Sequence, residues 1–306
     1  NMAGLADPSN VTTNVTITNT ILSMVPENPL NSLANGDMLP VIIFGVIIGI
    51  ILAKLKDETE TINKIFSEGN TIMMEMTGIV MKFAPIGVFC LMAKTFATLG
   101  FDGLIPLSKY IACTLLALAV QAFIVYPTLL VILTRLNPIK FFRRFFSVML
   151  FAFSSSSSNA TIPLNLEKLS ELGVSRDVSS FTIPLGATIN MDGTAIMQGV
   201  AVMFASQAYG MDLGVSALIT VIFTAVMASI GTAGVPSVGL ITLNMVFASV
   251  GLPTDAIGII MGIDYILDMV RTAVNVTGDA ICTIIVAFKN KSIDLDAFNS
   301  KKEIET

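Results

Sequence analysis

Apolar residues along this chain come in long runs, not in the short alternations of a soluble domain. The first run covers about residues 38–53 and closes on Lys54, Lys56 and Asp57, with Pro40, Gly45 and Gly49 inside it. Residues 58–70 are polar and suit a helix lying at an interface. Apolar character returns over 76–99, broken by Lys82 and Pro85, and again over 105–134, the longest run. About 20 apolar residues cross a bilayer as a helix, and this third run is longer. Arg135, Lys140, Arg143 and Arg144 follow it. A basic cluster beside a span marks the cytoplasmic side.

Beyond that cluster the pattern changes. Residues 145–153 are apolar for only nine positions and stop at the five serines Ser154 to Ser158. Residues 161–166 turn back, and charge returns at Glu167, Lys168, Glu171, Arg176 and Asp177. Nine helical residues reach only about 14 Å, so the spacing predicts a re-entrant hairpin entered from the cytoplasm. Residues 178–208 form a full span with Asn190-Met191-Asp192-Gly193-Thr194 near its middle. The loop at 210–214 has no Lys or Arg, which places it outside. Residues 215–250 are apolar but split by Gly231-Thr232-Ala233-Gly234-Val235-Pro236, a second hairpin entered from outside. The last span, 256–288, is followed by Lys289, Lys291, Lys301 and Lys302 on the cytoplasmic side. Hairpin and interrupted helix thus occur twice with opposite entry, an inverted repeat. Such repeats gather free backbone groups at the midplane, where substrates and ions bind. Packing or kink residues would account for one such segment; two matched ones beside buried carboxylates ask for a site.

Composition agrees with a membrane bundle: 54% of residues are hydrophobic and 13% charged, against about 25% charged in soluble domains. Neither the net charge of −5 nor the distribution of basic residues suggests a nucleic acid partner. The chain has no histidine, so it offers no His-based metal site or proton relay. Cys90, Cys113 and Cys282 sit in apolar runs without CxxC spacing and read as core residues. The start shows no basic stretch before an apolar one, hence no recognisable signal peptide, and carries Asn-x-Thr sequons at Asn10 and Asn14.

The last span holds the chemistry. Asp264, Asp268, Arg271, Thr272, Asn275 and Asp279 fall within an arc of about 100° on a helix. Ionisable residues inside a bilayer face the interior and mark an ion or substrate path. An Asp268–Arg271 pair that only satisfies itself would leave Asp264 and Asp279 unexplained. Arg271 offers a rigid fork for a carboxylate, Asp268 can hold an ammonium, and Asn275 has an amide for a second carboxylate. Together they suit an acidic amino acid. Oxygen ligands from Asp279, Asn190, Asp192 and freed carbonyls suit an alkali cation. A proton-coupled dicarboxylate carrier would not need Asp268, and a neutral amino acid carrier would not need Arg271. A channel could use the polar face, but paired hairpins favour alternating access. An enzyme would need a nucleophile–base pair that the sequence does not offer.

These motifs resemble the dicarboxylate/amino acid:cation symporter family, which includes the excitatory glutamate transporters and archaeal aspartate transporters. The likeness runs from Pro26-Glu27-Asn28-Pro29 and Ala34-Asn35-Gly36 to the last span. It is carried by Ser158 with Thr161-Ile162-Pro163, by Pro184 through Thr194, by Ser229 through Pro236, and by Asp264 through Asp279. The resemblance implies an all-α membrane protein, an inverted-repeat elevator transporter with two re-entrant hairpins, assembled as a homotrimer in the plasma membrane. Residues 1–104 would be part of the scaffold and 105–306 the transport domain. Family members begin with three further spans, so the chain would start after them. Arg271 would bind the substrate's side-chain carboxylate and Asp268 its amino group, with Asn275, Ser157 and Ser158 on the main-chain carboxylate. Thr194, Val235, Gly239 and Thr272 would complete the pocket. Sodium ions would be co-transported: one at Gly186, Asn190, Asn275 and Asp279, a second among carbonyls of Thr188, Met191, Ser229, Ile230 and Thr232, a third partly on Asp192 and Asn190. Family members usually carry an extra arginine near the pocket, where this chain has Ser156 and Met269. Some relatives are coupled to protons; Asp279 favours sodium here.

Overall fold

The computed structural model describes residues 28–35, 38–83, 86, 89–90, 93, 104–230, 234 and 238–300. The two sequons lie outside them. The regular structure of these residues is helical, apart from one isolated antiparallel bridge between Val174 and Ile293.

Helices α1 (Pro29–Asn35), α2 (Met38–Leu55) and α3 (Glu60–Met81) come first. The polar stretch 58–70 does not form a separate element, because α3 runs through it into the next apolar run. Next come α4 (Leu104–Val120), a π-helical turn (Gln121–Val125) and α5 (Tyr126–Thr134) in unbroken succession. Arg135, left-handed at φ 59°, ends them.

Helix α6 (Pro138–Ser155) corrects the hairpin arm read from hydropathy. It has 18 residues, about 27 Å of helix, so the half-bilayer length of its apolar run says nothing about re-entry. Hydropathy missed its first turns because they carry the basic cluster. The backbone starts earlier, where the Asn137 side chain accepts from the Ile139 amide and Pro138 pre-sets the helical φ. Phe141, Phe145, Val148 and Ala152 form its buried stripe. Arg144 is held by carbonyls, donating to Ala297 at 2.9 Å and Glu171 at 2.8 Å.

The remaining helices are α7 (Ser158–Glu171), α8 (Arg176–Ile189), α9 (Asp192–Tyr209), α10 (Val215–Ile230), α11 (Val238–Ser249), α12 (Asp255–Lys289) and α13 (Leu295–Asn299). The expected breaks at Ser156-Ser157 and at Asn190-Met191 are present, and helix is absent at Gly234 between α10 and α11. The last span differs: α12 is one continuous helix of 35 residues through all six polar positions. Side-chain polarity does not break a helix whose backbone bonds are intact.

Helix α12 packs against α4 through α9 and against α11. Its ends belong to two apolar cores. One gathers Leu118, Phe141, Phe145, Leu169, Ile281 and Ile284 around the C-terminal half. The other gathers Tyr110, Met197, Leu243, Phe247 and Ile260 around the N-terminal half. The polar face of α12 lies at their junction. Among the described residues two helices are long and apolar enough to span a membrane, Leu107–Thr134 and Ile260–Lys289. The first turns Leu116, Phe123, Ile124 and Ile132 outward, a contiguous apolar surface that suits hydrocarbon better than water. The cysteines depart from expectation: Cys90, Cys113 and Cys282 are exposed, not core residues.

Candidate substrate and cation site

Every polar residue on the face of α12 is buried, from Asp264 at 1% exposure through Arg271 at 2% to Asp279 at 2%. The face divides into two groups. In the first, the Arg271 guanidinium is shared by two carboxylates of its own helix. Its Nη1 donates to Asp264 Oδ1 at 3.4 Å, and its Nη2 donates to Asp268 Oδ1. Asp268 sits one turn before Arg271, so helix periodicity alone aligns them. Gly239 of α11 closes the other side. A Cβ there would lie 2.9 Å from Nη1 and 3.0 Å from Nη2, so the guanidinium rests on bare backbone.

Arg271, Asp268, Thr272 and Asn275 line a cleft with Ser158, Thr194, Gly239, Met191, Gly234 and Ser156. Seven of the nine expected substrate residues are thus gathered. Val235 lies outside the described residues. Ser157 does not line the cleft but ties its walls together: its hydroxyl donates to the Gly234 carbonyl at 2.7 Å and accepts from the Ala160 amide at 3.2 Å. The Asn159 amide also donates to Gly234. These bonds join the α6–α7 tip to the α10–α11 tip over the cleft. The space open to the centre of a water molecule is about 10 Å³, room for roughly one water. The cleft as it stands has no room for an amino acid. Ser156, Met191 and Gly234 were not expected in the lining. Ser156 is left-handed at φ 49°, and its buried hydroxyl has no hydrogen-bond partner among the described residues.

The second group surrounds Asp279. Its Oδ1 accepts from the Asn190 amide at 2.9 Å, while its buried Oδ2 has no hydrogen-bond partner among the described residues. Gly186 of α8 faces it so closely that a Cβ would meet Oδ1 at 2.5 Å. Asn275 accepts from the Gly193 amide at 2.8 Å and donates to the Met191 sulfur at 3.2 Å. Asp192 accepts from Gly193 at 2.9 Å, from the Gln121 amide at 2.7 Å and from the Tyr126 hydroxyl. Among the described residues neither Asp192 nor Asp279 has a basic partner. The expected first cation set, Gly186, Asn190, Asn275 and Asp279, is therefore connected through two helices and one helix break. These oxygen donors and the unpartnered Oδ2 fit a hard monovalent cation.

The second expected set is less complete. Thr188 is in the last turn of α8, where carbonyls lack helical partners; its exposed hydroxyl donates to Leu185. The Met191 carbonyl accepts from Thr194 and Ala195, which starts α9. Ser229 is buried in the last turn of α10, donating to Val226. Ile230 ends that helix, and Thr232 lies outside the described residues. A Cβ on Gly234 would meet the Ala187 carbonyl at 3.1 Å, which sets the break after α10 against the last turn of α8.

Gln121 and Tyr126 were not foreseen. Five residues apart, they lie about 140° apart on an α-helix. The π-turn, closed by the Tyr126 amide donating to the Gln121 carbonyl, brings both to Asp192. A lone Gln in a lipid-depth run was the one available signal.

Comparison with known proteins identifies the family. The sodium:dicarboxylate symporter family model matches residues 1–288. The chain is 38% identical over 265 residues to a putative sodium-dependent excitatory amino acid transporter, glt-4, of Caenorhabditis elegans, covering 86% of the chain and 53% of the relative. It is 37% identical over 275 residues to the proton/glutamate-aspartate symporter of Escherichia coli, covering 89% and 62%. It is 35% identical over 277 residues to human excitatory amino acid transporter 1, covering 87% and 51%. The chain thus spans about half to three fifths of these relatives' lengths.

Proposed function

The chain belongs to the sodium:dicarboxylate symporter family, and from that membership we propose that it carries the substrate and ion site of a secondary active symporter for aspartate or glutamate. Inward sodium movement drives uptake. The observation that carries the reading is the pairing, on one buried helix face, of an arginine held by two carboxylates with a carboxylate that has no basic partner. The first takes an acidic amino acid: its side-chain carboxylate replaces Asp268 on Arg271, and Asp268 turns to the ammonium. Asn275, Ser158 and the helix start at Ser157 take the main-chain carboxylate, with Thr194, Thr272, Gly239 and Val235 around it. The second takes sodium at Asp279, Asn190, Asn275 and Gly186. Further sodium ions use Asp192 and the carbonyls near Thr188, Met191, Ser229, Ile230 and Thr232.

In this reading α6–α7 and α10–α11 are the two re-entrant hairpins of an inverted repeat. Residues 105–306 move as a transport domain, 1–104 are part of the fixed scaffold, and three copies assemble in the plasma membrane. Both tips meet over the cleft, so their separation is the opening step. The substrate is moved, not transformed.

The test is uptake of labelled aspartate into proteoliposomes, with and without a sodium gradient, in competition with glutamate, malate, serine and cystine. Sodium-driven uptake blocked by glutamate but not serine is expected. Malate uptake indifferent to sodium would replace this reading with a proton-coupled dicarboxylate carrier.

A further inference from the structure

An open groove of about 790 Å³ lies between the π-turn with α5 and the start of α6, a size typical of ligand sites. Phe123, Phe142, Phe146, Pro127 and Pro138 form its walls, and the one charged residue in it is Arg143. Phe123 and Phe142 face each other with ring centroids 6.1 Å apart. We propose that this groove holds an acyl chain of an anionic phospholipid from the cytoplasmic leaflet, with its phosphate on Arg143.

Depth supports the chain. The α4–α5 wall belongs to the span Leu107–Thr134. From Phe123 to Thr134 the helix rises about 16 Å, close to half of the roughly 30 Å hydrocarbon core. The groove therefore follows one leaflet from near its middle to its polar edge, where Arg135 ends the helix.

Charge supports the headgroup. Two neighbouring basic residues are engaged, Arg144 on the carbonyls of Ala297, Phe298 and Glu171 and Lys140 on Asn299 at 3.0 Å, and the exposed Arg135 does not line the groove. Arg143 is exposed and makes no hydrogen bond or ion pair with the described residues. An unengaged guanidinium at the rim of an aromatic groove is a phosphate donor set at headgroup depth. Free phosphate would use the arginine and leave the aromatic walls without a purpose.

The chain contains no tryptophan, so Phe146→Trp places a single indole in the groove of the full chain. In phosphatidylcholine vesicles, brominated phosphatidylglycerol should quench it at about fivefold lower mole fraction than brominated phosphatidylcholine. Adding Arg143→Gln should abolish that preference while leaving helicity unchanged. Leu116→Trp, on the outward face of α4, should be quenched equally by both lipids. Equal quenching at Phe146→Trp, or a preference that survives Arg143→Gln, overturns the proposal. Absence of quenching by either lipid there means that protein covers the groove, and overturns it too.

Discussion

Around Arg271, two buried carboxylates share one buried guanidinium; around Asp279, about two turns further along the same helix, a buried carboxylate has an asparagine amide and no cation of its own. Both groups lie on one face and are equally hidden from water. The difference is in how charge is compensated. An ionised carboxylate moved into a low-dielectric interior without a counter-charge loses several kcal/mol of solvation. The Arg271 group recovers much of that internally, and so is shut. The Asp279 group recovers little internally: among the described residues it has the Asn190 amide and no basic partner. On the proposed function, the first group is a site opened by exchange of partners and the second a site completed from outside by a cation.

The largest expected effect comes from removing the shared cation. Arg271→Ala takes the shared cation from the buried carboxylates Asp264 and Asp268, which should lower stability by about 3–5 kcal/mol, read by thermal unfolding in detergent. Binding of an acidic amino acid should fall by about 100-fold or more. Combining it with Asp264→Asn and Asp268→Asn should restore stability but not binding; stability that stays low would show that charge is not what the trio balances.

Asp279→Asn should act in the opposite sense. Without sodium the variant should be at least as stable as its parent, because an amide replaces a carboxylate that has no basic partner. Sodium at 100 times its dissociation constant should stabilise the parent by about 2.7 kcal/mol and leave the variant unmoved. Full sodium stabilisation of the variant would break the distinction between the two groups.

Two glycine variants separate the groups more finely. Gly186→Ala drives a Cβ toward Asp279 Oδ1 at 2.5 Å and should weaken sodium about 10-fold, roughly 1.4 kcal/mol, with the Arg271 cleft untouched. Gly239→Ala presses on the guanidinium at 2.9 Å and should weaken the amino acid by a similar factor, with sodium stabilisation kept. Titration of each variant with both ligands shows whether the effects cross over. The smallest effect belongs to Ser157→Ala, which removes a helix cap and the bond to Gly234. About 1 kcal/mol of stability should be lost, with the tips parting more readily under hydrogen exchange.

Much of this was legible in the chain. The six polar positions of α12 share a face because 100° per residue puts them there, whatever surrounds them. The breaks at Ser156-Ser157 and Asn190-Met191 fall at serines and short polar residues in apolar runs, while Pro163 and Pro184 stay inside helices. The extent of α6 was not legible, because apolar length reports hydrophobic residues and not the backbone that continues through Arg143 and Arg144. The continuity of α12 was not legible either, nor the outward turn of the three cysteines.

What the sequence determined by itself is the set of membrane runs, the points where backbone is freed, and the order of charges along the last helix. These depend on local periodicity and on the cost of hiding polar groups from water. What only the tertiary structure decided is which groups meet across helices. The Arg271 pairings with Asp264 and Asp268 stay within α12, but Gly239 of α11 closes on the guanidinium. A π-turn that no periodicity predicts swings Gln121 and Tyr126 onto Asp192, and Gly186 brings α8 against an Asp279 with an unpartnered oxygen. Those pairings join residues up to about 90 positions apart in the chain, and a Coulomb interaction depends on distance in space, which sequence spacing does not encode.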